Sequence, residues 1–98
     1  MNTISNAKVV TRHAGLIQYL EEIGLIDSTA EVIGHATPEQ VVGQNVIGVL
    51  PHSLSCLCNT FTEVPMNIPA ELRGKELTLE QMRQYGSTPV TYMVQRIS

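Results

Sequence analysis

Short runs of adjacent β-branched residues constrain this chain most. Each is halted by polar residues or proline, and each is separated from the next by a helical pattern. In "AKVVT" (residues 7–11) and "NVIGVLP" (residues 45–51) the apolar residues are contiguous rather than alternating. That is how a strand reads when both of its faces are buried. The second run is the clearest, and Pro51 stops it. Between them, Leu16, Ile17, Leu20 and Ile23 recur at helical spacing with Glu21 and Glu22 interposed, and Gly24 fits a helix stop. "AEVIGHA" (residues 30–36) is a further strand. "TPEQ" after it reads as a single capped turn, with Thr37 as N-cap and Pro38 in the first position.

The second half is less regular. "HSLSCLCNTFTE" (residues 52–63) places Leu54, Leu57, Cys58 and Phe61 on one face of a short amphipathic helix. "VPMNIP" (residues 64–69) carries two prolines, so any strand there belongs at an edge or is irregular. "LTLEQMRQYG" (residues 77–86) has Thr78 and Gln81 at capping-box spacing and closes at Gly86. The tail "TPVTYMVQRI" (residues 88–97) alternates, with Val90, Tyr92, Val94 and Arg96 on one side. Strands separated by helical segments predict an α/β fold, a mainly parallel sheet flanked by helices. Its 98 residues form one domain, spanning 1–98.

Composition narrows the function. Charged residues make up 15% of the chain, against about 25% in an average protein. A surface so poor in charge suits coverage by a second copy. The net charge of −3 excludes general attraction to long nucleic acid, so an anion site must be a local cluster of the few cations. The opening "MNTISNAKVV" has no apolar h-region, and no run approaches the ~20 residues of a membrane span. A cytoplasmic protein with no membrane partner is expected. Cys56 and Cys58 have no second cysteine pair; on a helix they point about 200° apart, and they read as reduced, mostly buried thiols. The three histidines lack metal-ligand spacing, so neither a metal nor a cofactor is expected. His35 stands without neighbouring ligands and reads as packed or on the surface.

Ligands of open parallel sheets gather beyond the carboxyl ends of the strands. Two polar groups fall there: Thr11-Arg12-His13 after the first strand, and His52-Ser53 after Pro51. Both lead into helices, whose first N–H groups face an anion. Arg12 presents a planar fork of donors suited to phosphate oxygens, or else pairs with a carboxylate. His13 can exchange a proton near neutral pH, hydrogen-bond a phosphate, or cap the helix that follows. His52 has the same choices. Ser53 suits an N-cap, or a phosphate contact through its hydroxyl or N–H. In "ELRGKELT" (residues 71–78), Arg73 and Lys75 flank Gly74 and can complete a phosphate clamp as a flexible lid. There is no Walker loop and no G-x-G-x-x-G, which argues against a nucleoside-triphosphatase or a dinucleotide-dependent oxidoreductase. Aromatics, at 4%, are too few for a base-stacking sheet.

"VVTRHAG", "NVIGVLP" and "LRGKELTLEQM", in this order and spacing, resemble the small CRISPR-associated (Csx-type) accessory proteins of type III systems. The likeness runs from Lys8 to about Gly86. Those proteins are related to the Rossmann-like CARF domains and include ring nucleases. A Pro often follows T-R-H in that family, where this chain has Ala14. An acidic residue often follows the Gly before the third strand, where this chain has Gln44. Neither difference removes a phosphate contact. The resemblance implies a homodimer that binds cyclic tetra-adenylate and linearises it without a metal, or binds it without cleavage as a sensor or sponge. It implies Arg12, His13 and His52 as catalytic candidates, and Thr11, Arg12, Pro51, Ser53, Arg73 and Lys75 as ligand contacts.

The low charge, and a short chain that must surround a large ligand, lead to one expectation. Light scattering at micromolar concentration gives about twice the 10.8 kDa chain mass, and a monomer that persists with ligand present argues against a shared site.

Overall fold

The structure, a computed structural model, describes residues 3–98. Five strands form one sheet: β1 (Lys8–Val10), β2 (Glu31–Ile33), β3 (Asn45–Gly48), β4 (Thr60–Glu63) and β5 (Val90–Tyr92). Their spatial order is β2-β1-β3-β4-β5. The first four run parallel, and β5 joins β4 antiparallel. The helices are α1 (Ala14–Glu22), α2 (Pro38–Val41), α3 (His52–Ser55) and α4 (Leu79–Tyr85), with a 3₁₀ turn at Ala70–Leu72.

This order reverses the direction of winding at β1. The chain passes from β1 through α1 to β2, then returns past β1 through α2 to β3. The helices therefore fall on opposite faces of the sheet. Val9 and Ile47 pack with Leu20 of α1 on one face, while Val10 and Val46 pack with Val41 of α2 and Leu54 of α3 on the other. Both central strands are thus covered on both sides, which is why their apolar residues are contiguous. Val9, Leu20, Val41 and Val46 are fully buried, a gain of about 1.5–3 kcal/mol for each side chain. A third cluster, of Tyr19, Leu77 and Met82, packs α4 beside α1, and Arg83 reinforces it with a two-pronged ion pair to Glu22. The Arg83 guanidinium holds the Glu22 carboxyl below its ordinary range.

The helix starts follow their local chemistry. Gln40 Oε1 accepts the Thr37 N–H at 2.9 Å, and in α4 Gln81 and Thr78 exchange side-chain-to-backbone bonds of 3.0 and 3.2 Å. Gly24 takes φ 76° just past α1, as a helix stop needs.

The segment 52–63 is not one helix. α3 ends at Ser55, and Thr60–Glu63 is β4. The Gln44 carbonyl receives the Asn59 N–H at 2.8 Å, while Asn45 Oδ1 accepts from the Asn59 and Thr60 side chains at 2.8 and 2.9 Å. The start of β3 thereby captures the start of β4. Leu54, Cys58 and Phe61 still share one cluster, reached by a turn and a strand, while Leu57 faces out. "VPMNIP" makes a single antiparallel bridge, Met66 to Gly86. In the tail only Val90–Tyr92 pairs. Buried Thr62 is satisfied there by the Thr91 hydroxyl at 2.8 Å.

The carboxyl ends of β1 and β3 meet at Gly48. Its φ is 138°, and a Cβ there would lie 2.2 Å from the Val10 carbonyl oxygen. Gly48→Ala combines that clash with a backbone conformation L-residues avoid. It is expected to cost more than about 2 kcal/mol, read as a lower urea midpoint at unchanged slope.

Candidate functional site

Past β1 the ladder continues for one residue, as the Thr11 N–H donates to the Ile33 carbonyl at 3.0 Å. The chain then turns on itself. Thr11 Oγ1 accepts the His13 N–H at 3.1 Å, and the His13 carbonyl accepts the Leu16 N–H at 3.1 Å, opening α1. His13 is the N-cap residue, but its imidazole makes no capping bond. It faces Glu76 instead, Nδ1 to Oε1 at 3.5 Å, with both side chains more than half exposed. Arg12 donates from Nε to the Gly34 carbonyl at 3.2 Å. Among the described residues it pairs with no carboxylate. No acidic side chain occupies the first turn of α1, and the carboxylate beside its N-cap is that of Glu76, brought in by the loop before α4.

These residues open onto a cleft of about 550 Å³ at the crossover between β1 and β3. Thr11, Arg12, His13 and Pro51 line it together, with Leu54 as an apolar wall. His35 lines it too. In the sequence His35 stands without neighbouring ligands and reads as a packed or surface histidine. The available signal was its place at the carboxyl end of β2, two residues beyond Ile33, on the same rim as Arg12.

The rest of the candidate set is divided. His52 and Ser53 line a different cleft of about 600 Å³, with Cys56 and Arg96 from the tail. Pro51 is the extended N-cap, at φ −66° and ψ 156°, and His52 opens the helical turn, so the two face different spaces although adjacent. α3 is a single turn, too short to present a strong dipole. Cys58 is half-buried, and that burial pushes its thiol above the ordinary range.

Lys75 and Glu76 stand at the mouth of a third space, an apolar cavity of about 250 Å³ that also reaches His13. The loop carrying them is held at both ends, by Leu72 and by buried Leu77. Gly74 turns it at φ 80°. Gly15 permits its close approach to α1, since a Cβ there would lie 3.0 Å from the Leu77 carbonyl oxygen. Arg73 is exposed, follows the 3₁₀ turn, and lines none of the three spaces. Arg12, His13 and His35 thus share one cleft, while Lys75 and Glu76 stand at the adjoining cavity, which His13 also lines.

Fold and site together define an open, doubly wound α/β protein with a polar cleft at the reversal point of its sheet, where proteins of this architecture bind ligands. The chain belongs to a CRISPR-associated family: the family model described as "Putative CRISPR-associated protein (Cas_VVA1548)" matches residues 8–95. No curated protein and no solved structure matches it. No helix among the described residues is long and apolar enough to cross a membrane.

Proposed function

We propose that this CRISPR-associated protein is a metal-independent ring nuclease. It binds cyclic tetra-adenylate as a homodimer and linearises it, ending the signal of type III defence. The observation that carries the reading is the convergence of Thr11, Arg12, His13 and Pro51 on one cleft at the reversal of the sheet, in a chain of CRISPR-associated family. Each feature suits a phosphodiester. Arg12 is fixed at Nε by the Gly34 carbonyl, and its terminal N–H groups can grip phosphate oxygens. The start of α1 favours negative charge. Two copies related by a two-fold axis offer the same rim twice to a ligand of repeating units.

The chemistry is an in-line displacement. A ribose 2′-oxygen loses its proton to a base and attacks the adjacent phosphorus. The bond from phosphorus to O5′ breaks, and O5′ takes up a proton. The products are a 2′,3′-cyclic phosphate and a 5′-hydroxyl. Arg12 stabilises charge on the phosphorane oxygens, and Lys75 supports it from the neighbouring cavity mouth. His13 protonates the departing O5′. His35, on the same cleft, is the nearer candidate for a second imidazole; His52 opens elsewhere.

Incubation of the purified protein with labelled cyclic tetra-adenylate in EDTA tests the reading. Linear products ending in 2′,3′-cyclic phosphate support it, a ring that is bound but left intact supports a sensor or sponge, and neither binding nor cleavage supports an interaction protein. Arg12→Ala is expected to raise the barrier by about 2–4 kcal/mol in single-turnover cleavage. His13→Ala is expected to slow saturated cleavage by about 10² to 10⁴ with binding largely kept. A normal saturated rate for His13→Ala removes it as the acid, and a lowered melting temperature with a normal rate reduces it to a structural role.

A further inference from the structure

Resting on the nucleotide reading above, we propose that the apolar cavity beside the rim is a nucleobase pocket. It receives the purine ring of a nucleotide whose phosphate lies against Arg12 and His13. The cavity measures about 250 Å³, below the ~300–1,000 Å³ of pockets that take drug-sized ligands, so it holds one fused ring system and not a whole nucleotide. Its walls are hydrocarbon and thioether: Leu16 of α1, Ile47 of β3, Val64, Met66, Ile68 and Met82 of α4. Such walls cover the faces of a flat heterocycle while its polar edge stays toward His13, Lys75 and Glu76, where its nitrogens keep partners, and the two methionines offer polarizable sulfur to its ring.

Polarity is confined to one end. His13, Lys75 and Glu76 stand at the mouth, so an occupant must leave its anionic part there. His13 and Val49 line both this cavity and the Arg12 cleft. Base and phosphate sites are therefore contiguous, joined across one imidazole. The fold maintains the space. Gly15 lets the loop through Leu77 close over α1 to form its rim, since a Cβ there would lie 3.0 Å from the Leu77 carbonyl oxygen and 3.3 Å from the Met82 methyl. The His52 cleft, by contrast, shares neither His13 nor Val49.

Methyl-labelled methionine spectra of the intact protein test the assignment. The protein is titrated separately with adenosine 5′-monophosphate, ribose 5-phosphate and inorganic phosphate. The Met66 and Met82 methyl resonances are expected to move upfield under the ring current of the first ligand alone. Met93, 86% exposed and outside the cavity, is expected to stay in place throughout. Ile68→Trp fills the space and is expected to reduce the monophosphate's affinity to that of ribose 5-phosphate. Unmoved Met66 and Met82 methyls with the monophosphate, or equal movement with ribose 5-phosphate, overturn the proposal. Cyclic tetra-adenylate separates it from the nuclease reading. Ring opening with both methyls unmoved overturns the pocket alone, and moving methyls with an intact ring support the pocket while overturning the nuclease.

Discussion

The close approach of β1 and β3 at their carboxyl ends is the contact on which the rest of this structure depends. Gly48 lies against the Val10 carbonyl where no Cβ fits, and there the sheet changes its direction of winding. One consequence is steric: with no side chain between them, the two strand ends form the base from which both loops depart. The other is topological. Because α1 leaves on one face and α2 on the other, a crevice opens between the loops, and the polar residues after β1 line it.

Packing differs on the two faces, and the difference shapes the site. α1 and α4 form a substantial layer, with Tyr19, Leu77 and Met82 between them and the Arg83–Glu22 pair at the edge. That layer carries the loop of Lys75 and Glu76 to the rim. Single-turn helices, α2 and α3, cover the opposite face and leave room beside Arg12, where His35 and Leu54 complete the walls. The candidate site thus has a polar cleft on one side of His13 and an apolar cavity on the other.

Much of this was legible in the residues themselves. Contiguous Val9-Val10 and Val46-Ile47 announce strands buried on both faces, and the parallel arrangement follows from the helical patterns between them. The capping chemistry of Thr37, Thr78 and Gln81 marks helix starts correctly because it is local. The error at residues 52–63 has a definite origin. Leu54, Cys58 and Phe61 do share a cluster, and helical spacing is one way to achieve it. The way taken, a turn followed by β4, depends on the grip of Gln44 and Asn45 on residues 59 and 60, which no window confined to that segment contains.

The sequence by itself determined the class of fold and the placement of Thr11-Arg12-His13 beyond a carboxyl edge, because strand burial and helix capping act over a few neighbouring residues; it overran the strand ends, since β2 stops at Ile33 and β3 at Gly48, three residues before Pro51. Only the tertiary structure decided which groups share a space. It joined His35 to Arg12 from the neighbouring strand, and turned His52 and Ser53 toward Arg96, past the extended N-cap Pro51. It also brought Glu76 to His13 across 63 positions of chain, through a loop seated on the bare Cα of Gly15. Such meetings depend on strand order and on the direction of each crossover, and the energies that set those lie in contacts between segments, not within any one of them.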